Sequence, residues 1–247
     1  LLSSTSEGIT IEVQLSLDEI IEETVSINGK EYVEISIPGW SKVAVEGKPD
    51  LPKITETIGV PFGVDINVQV EPGRKYSRVL SHPVLPEGTQ SIDWEGILFT
   101  EEDLLGLEPS YKIIENSEVY EGDKFIPGPL AEVTGDGVIR HQRVIGVSIY
   151  PLQYNPGTGE LVLYESLIVT LKFSGLGTTR PQSKNSDSAV FDELLQDLLL
   201  NYETALSWRE APANIIPDSA NRTSPWSPPD PGWRVQVREE GIYKLSY

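Results

Sequence analysis

Short runs in which every second residue is apolar, each closed by Gly, Pro or Asn, fill the first 175 residues of this chain. Successive side chains of an extended strand leave opposite faces, so this alternation marks strands with one buried face. Ile9, Ile11, Val13, Leu15 and Leu17 show it, as do Val33, Ile35 and Ile37 and then Val64, Ile66, Val68 and Val70. Residues 143–150 and 160–164 flank Gln153-Tyr154-Asn155-Pro156-Gly157-Thr158-Gly159, where Asn-Pro and two glycines supply the turn of a hairpin. Leu167, Val169, Leu171 and Phe173 close the series, and the prolines fall mostly between runs, where a missing N–H is harmless. Many short strands without interleaved helical segments predict a mainly β chain, an antiparallel, jelly-roll-like sandwich rather than a parallel α/β fold.

Beyond residue 175 the period changes. Residues 175–186 are polar and read as a linker, after which Val190, Phe191, Leu194, Leu195, Leu198, Leu199, Tyr202 and Leu206 recur at three and four. That spacing predicts one C-terminal amphipathic helix over about 188–206, capped by Asp187 or Ser188, with Asp192 and Glu193 near its positive end. Residues 211–232, rich in Pro, Ser, Asn and Asp, read as an extended linker. Trp233, Val235 and Val237, the turn Glu239-Glu240-Gly241 and Ile242 to Leu245 then begin a new hairpin, which is marginal alone. The expected organisation is a sandwich over 1–175, a linker with the helix over 176–232, and the opening of a further domain over 233–247. Leu1 in place of Met reads as a start inside a longer precursor whose signal peptide is already absent.

Charge and residue usage exclude several functions. The formal net charge of −19 argues against phosphate-based nucleic-acid binding and against attraction to an anionic membrane. Without Cys there is no disulfide, thiolate nucleophile or Cys-type zinc site in this chain, and His82 and His141 stand in no metal-ligand spacing. No metal or cofactor is expected. Asp18, Glu19, Glu22 and Glu23, and Glu101, Glu102 and Asp103, offer carboxylate pairs of the kind used in glycoside hydrolysis, although among so many acids a solvated face is the ordinary reading. Asn221-Arg222-Thr223 fits a glycosylation acceptor, Asn28-Gly29 and Asp136-Gly137 are turn signals, and Trp40, Trp94 and Tyr111 suit either a ligand surface or a core. From these residues a carbohydrate-binding or adhesive sandwich and an acid-pair hydrolase both stay open.

Four further segments occur in a fixed order: Gly47-Lys48-Pro49-Asp50-Leu51-Pro52; Asp123-Lys124-Phe125-Ile126-Pro127-Gly128; Tyr150-Pro151-Leu152-Gln153-Tyr154-Asn155-Pro156 with the strand 160–164; and Asn201-Tyr202-Glu203-Thr204. In this order they resemble the N-terminal prodomain of gingipain-type cysteine peptidases, which are secreted and caspase-like. The resemblance covers residues 47–204. It implies a non-catalytic propeptide of a bacterial protein, secreted or at the cell surface, that assists folding of its own downstream cysteine peptidase domain and keeps it latent by laying a loop across the active-site cleft.

In such zymogens one side chain of the loop enters the primary specificity pocket. In the arginine-specific members that residue is basic and precedes the Asp-Lys-Phe-x-Pro-Gly segment. An ungapped count back from Asp123 reaches residues 100–110, with Leu105 nearest the family position and Leu104 and Gly106 beside it. No Lys or Arg occurs between Arg78 and Lys112, so the resemblance implies an apolar pocket filled by Leu105 in a partner that is not arginine-specific. Lys124 and Arg140 are the alternatives should the inhibitory loop lie elsewhere. A purely structural reading makes Leu104, Leu105 and Leu107 the packed face of a short helix capped by Thr100 over Asp103. The family's processing Arg aligns with Leu206, and Arg209 lies three residues on; both are processing candidates.

Overall fold

The computed structural model describes residues 1–91, 110–175 and 189–209. Strands are numbered along the chain. One antiparallel sheet is ordered β1 (Ser3–Thr5), β2 (Gly8–Gln14), β15 (Ser166–Ser174) and β7 (Asp65–Pro72). The second is ordered β11 (Ala131–Ile139), β12 (Gln142–Ile149), β6 (Pro52–Val60) and β5 (Ser41–Lys42). The alternating residues of the sequence form the core between them. Ile9, Ile11 and Val13 stand opposite Leu171, Val169 and Leu167 in register, and this layer packs on Ile58, Val60, Ile145, Val147 and Ile149. Leu17 departs from the pattern: it opens an exposed 3-10 turn, Leu17–Glu19, where the alternation ends.

A smaller pair of layers holds a second core. Strands β13 (Leu152–Asn155), β14 (Glu160–Tyr164) and β8 (Lys75–Val79) form one layer, and the hairpin β3 (Ile21–Ile27) and β4 (Lys30–Ser36) the other. Leu15, Val33, Ile35, Leu51, Val84, Leu152, Tyr154 and Leu161 fill the space between them. Trp40 packs against both cores, which makes it a joint rather than a stacking platform for a ligand. The hairpin expected to join 143–150 to 160–164 is instead β13 to β14, while β12 pairs with β11 and β6. Pro151 separates them: it has no N–H to continue a ladder, and the chain changes sheets there.

The helical region differs from the expectation of one helix over 188–206. After the short α1 (Ser117–Tyr120), α2 runs Ala189–Leu198, and α3 (Tyr202–Ala205) follows a break and leads into a 3-10 turn, Leu206–Trp208. The break arises because the chain pairs with a sheet edge there: the Leu200 N–H donates to the Thr57 carbonyl at 3.0 Å. Leu195, Leu199 and Ala205 pack with Val144 on the outer face of the second sheet, and these helices belong to the same compact unit as the strands, Leu1–Ala211. Among the described residues no helix is long and apolar enough to cross a membrane.

One carboxylate sits on a core-facing register position. Glu56 stands opposite Val147, between Ile54 and Ile58. Burial pushes its pKa above the ordinary 4.5. A raised carboxyl favours the protonated form in the folded state. Its contribution to stability is therefore complete below the unfolded value and is lost as the pH rises through the folded one. Glu56→Gln is expected to melt higher than the wild type at neutral pH and to show a flatter dependence on pH on the acid side. Parallel melting curves for the two proteins across that range would remove Glu56 from the pH response.

Candidate functional site: the base of segment 92–109

Strands β9 (Thr89–Ser91) and β10 (Ser110–Lys112) pair antiparallel, Ser91 opposite Ser110 and Thr89 opposite Lys112. They close the base of residues 92–109, a segment that carries Leu104, Leu105 and Gly106 and lies outside the described residues. The incoming flank is held as an extra strand. Val33 donates to Pro83 O and accepts from Leu85 N–H, at 2.8 and 2.9 Å, and the Val84 side chain is fully buried.

The first of the four motifs ties this flank to the outgoing one. Gly47 N–H donates to Glu87 O and Gly47 O accepts from Asn116 N–H, both at 2.9 Å. The Glu87 N–H returns a bond to Lys48 O, and the Asp50 N–H donates to Leu85 O, each at 2.9 Å. Gly47 adopts a φ of 70°, and a Cβ there would lie 3.0 Å from Ile114 O and 3.1 Å from Asn116 N. Only glycine suits both the conformation and the space. Asp50, almost fully buried, accepts from the Ala44 N–H at 3.1 Å and pairs with Lys42 at 3.3 Å. Burial works against the charge of Lys42, but Glu34 and Asp50 outweigh it and raise its pKa.

The outgoing flank is fixed as firmly. Asn116 caps α1 by accepting from the Val119 N–H at 3.3 Å, and Lys30 bonds Glu115 at 2.5 Å, which raises the Lys30 pKa. Tyr120 donates its hydroxyl to Val84 O at 2.7 Å, and burial pushes its pKa far up, keeping it the donor. The second and third motifs then prove to be one unit. Ile126 and Tyr154 exchange backbone bonds at 2.8 and 2.9 Å. Gln153 donates to Pro127 O and Gly128 O, also at 2.8 and 2.9 Å. Asn155 donates to Asp123 at 2.8 Å and accepts from the Gly157 N–H at 3.0 Å. The first motif thus bonds both flanks of the segment, and Tyr154 of the third packs with Val84 of the incoming flank. Sequence reading found the strings but missed these roles, because the bonds that join one motif to another or to the flanks link positions far apart in the chain.

The fourth motif serves the helices. Asn201 is 3% exposed, and its side chain accepts from Gly59 N–H and donates to Gly59 O, both at 2.9 Å, and donates to Ser4 Oγ at 3.2 Å. It satisfies the edge of β6 where β5 no longer covers it. Gly59 is a glycine for a steric reason as well, since a Cβ there would fall 2.4 Å from that of Ala205.

The other candidates are spread over the fold. Lys124 is exposed beside Asp123. Arg140, in the β11–β12 turn, lies with its guanidinium 3.4 Å from the ring centroid of Phe191 and so braces α2. Leu206 begins the 3-10 turn, and Arg209 Nη1 donates to Asp192 at 2.8 Å. Of the carboxylates, Glu22 pairs with Arg78, while Asp18 and Glu19 lie exposed on a turn. Glu101, Glu102, Asp103, Trp94, Asn221 and the hairpin 233–247 lie outside the described residues, as does the Tyr111 side chain. His82 faces Glu31 at 3.3 Å, and among the described residues no group of His, Asp and Glu is placed to hold a metal ion.

Fold and site together define an antiparallel β-sandwich that presents an inserted segment on a hydrogen-bonded base. Residues 1–207 match the family Propeptide_C25, and the chain belongs to that family. It is 27% identical over 173 residues to Gingipain R2 of Porphyromonas gingivalis, a match covering 64% of this chain and 22% of that protein. The chain therefore spans about a fifth of the length of the first curated relatives it matches. Among solved structures it superposes on the complex of Porphyromonas gingivalis RgpB pro- and mature domains, with a TM-score of 0.62, 20% identity, and coverage of 82% of this chain and 96% of that one. A structure concerned with zymogenic latency of gingipain K from the same organism matches with a TM-score of 0.52 and 20% identity, covering 69% and 89%.

Proposed function

We propose that this chain is the inhibitory propeptide of a gingipain-like cysteine peptidase, made ahead of the peptidase domain in one extracellular precursor. It assists folding of that domain and blocks its active-site cleft with segment 92–109 until processing. The observation that carries this reading is the double tie at Gly47, one residue bonded to both flanks of the segment. Flanks already fixed before docking leave less conformational freedom to be lost there, so contacts made by the segment convert more efficiently into affinity. Membership of a propeptide family and the likeness to a solved pro- and mature-domain complex support the same reading. The chain contributes no catalytic group in this scheme. It has no Cys, and the nucleophile belongs to the peptidase.

Leu105 fills an apolar specificity pocket, flanked by Leu104 and Gly106, and the release cut falls at Leu206 or Arg209. The organisation expected from the sequence, with a connection up to residue 232 and a further domain from residue 233, places the peptidase downstream.

The test is inhibition of the separated peptidase by the added chain. Leu105→Asp puts a charge where an apolar pocket is expected, and potency should fall about 30-fold, the scale of one central contact of about 2 kcal/mol. Unchanged potency would take Leu105 out of the mechanism and pass the role to Lys124. Arg140 is the weaker alternative because it is already engaged with Phe191.

A further inference from the structure

Strand β3 keeps a free edge of a kind that soluble proteins usually blunt. It pairs with β4 from Ile21 opposite Ser36 to Ile27 opposite Lys30 without a register shift. The hairpin turn is Asn28-Gly29, both at positive φ, so Ile27 and Lys30 exchange backbone bonds and the bonded pairs fall on every second residue. The far side of β4 fixes the same parity. Val33, opposite Thr24, directs its N–H and C=O to Pro83 and Leu85 of the incoming flank, and so bonds nothing on β3. Glu22, Thr24 and Ser26 therefore turn their backbone N–H and C=O groups to the outer edge, where no backbone group meets them among the described residues. All three residues are exposed.

An unpaired row of N–H and C=O groups is a template for another strand. Elsewhere the fold interrupts or covers such edges: β11 has a register shift between Val133 and Gly135, and β13 is met by Ile126. β3 has no Pro, no Lys and no bulge. Its guard is acidic. Glu22 pairs with Arg78 of β8, but Glu23 has no ion-pair partner among the described residues, and Asp18 and Glu19 stand exposed on the turn that leads into the strand. Glu34, directly opposite Glu23, is already paired with Lys42. Two copies of this edge would bring like charges together, so the carboxylates that favour a basic strand disfavour a second copy of the chain.

The side chains beside the edge define what such a strand must carry. On one face stand Ile21, 44% exposed, then Glu23, then the half-buried Val25. Antiparallel addition sets residues of the added strand opposite these three in non-hydrogen-bonded pairs, where side chains approach most closely. An apolar, basic, apolar alternation matches them.

We propose that the outer edge of β3 is a strand-addition site for an extended basic segment of another polypeptide. The segment binds antiparallel through the backbone of Glu22, Thr24 and Ser26, with a Lys or Arg opposite Glu23 and apolar residues opposite Ile21 and Val25. Backbone bonds give such a site its affinity, and alternate side chains its selectivity. The inference stands on the pairing of β3 and the charges beside it, and holds whether or not the chain inhibits a peptidase.

The probe is the peptide Thr-Val-Thr-Lys-Thr-Val-Thr, blocked at both ends, titrated into the full chain at low salt and followed by amide hydrogen exchange. Saturation should slow exchange of the Glu22, Thr24 and Ser26 amides at least about 10-fold. Thr24→Pro puts a ring where the outward N–H stood. That N–H is not part of the ladder, so the melting temperature should stay near the wild type while affinity falls at least about 10-fold. N-methylation of the third and fifth peptide residues, whose amides face β3, should cost as much, whereas N-methylation of the second and sixth, whose amides face away, should change affinity less than about 2-fold. The methylated pair needs no change in the protein. Glu23→Lys should weaken binding at least about 5-fold at low salt and by less at high salt. Undiminished binding by Thr24→Pro or by the peptide methylated at its third and fifth residues would reduce the contact to charge attraction and overturn strand addition. Absence of saturable binding, or a chain that dimerises in sedimentation and returns to monomer with Thr24→Pro, would overturn it as well.

Discussion

Gly47→Val is expected to destabilise the chain by about 4 kcal/mol and to weaken inhibition of the separated peptidase about 100-fold. Two costs combine in the first figure. A β-branched residue at a φ of 70° is strained by about 1–3 kcal/mol. A Cβ 3.0 Å from Ile114 O and 3.1 Å from Asn116 N adds an overpacking cost of about 1–3 kcal/mol. The loss of potency has a different origin. Moving the Gly47 backbone breaks its bonds to Glu87 and Asn116, so the two flanks of segment 92–109 must be ordered at the moment of docking. Restricting two or three residues costs about 1–2 kcal/mol each, enough for that factor of 100. Urea unfolding and the inhibition constant read the two effects separately. A valine variant with wild-type stability and potency would show that the base of the segment does not depend on Gly47.

Asn201→Asp should lower the unfolding free energy by about 3–5 kcal/mol, the range for an uncompensated buried charge. The asparagine amide donates to Gly59 O and Ser4 Oγ, and a carboxylate can donate to neither. One carboxylate oxygen would instead face the Gly59 carbonyl, like charge against like, in a site only 3% exposed. Acid should restore part of the loss, since a protonated aspartic acid regains one donor. The new carboxyl favours its protonated form in the fold, so its stabilising contribution is present at low pH and disappears as the pH rises. Equilibrium unfolding of the variant at neutral and acidic pH checks both statements. A loss under about 1 kcal/mol at neutral pH would mean that the edge of β6 finds other partners.

Much of the architecture is legible in the sequence because burial of alternate side chains is a local property. Ile9, Ile11 and Val13 announce β2, and Leu167, Val169 and Leu171 announce β15, before any partner is known. The helical stripe is legible for the same reason, down to the buried Leu195 and Leu199. Its interruption is not, because the cause is a bond from Leu200 to Thr57 on another element. The pairing of β12 is not legible either: alternation marks a strand but says nothing of its neighbour, and β12 pairs with β11 and β6.

The candidate site shows the same division. The four motifs stand in the sequence as strings, and their order alone points to a propeptide family. What each residue does depends on contacts across the chain: Asn201 meets Gly59 from 142 residues away, Asn155 meets Asp123 from 32, and Gly47 joins Glu87 to Asn116. The sequence by itself determined the strand pattern, the helical stripe and the absence of a thiol. Only the tertiary structure decided that the first motif ties both flanks of the segment, that the second and third form one unit, that the fourth seals a sheet edge, and that Arg209 is held against Asp192. Periodicity survives in a one-dimensional string because it reflects one residue's relation to its own faces. Hydrogen bonds between distant segments leave no periodic trace, since they require only that two suitable groups meet.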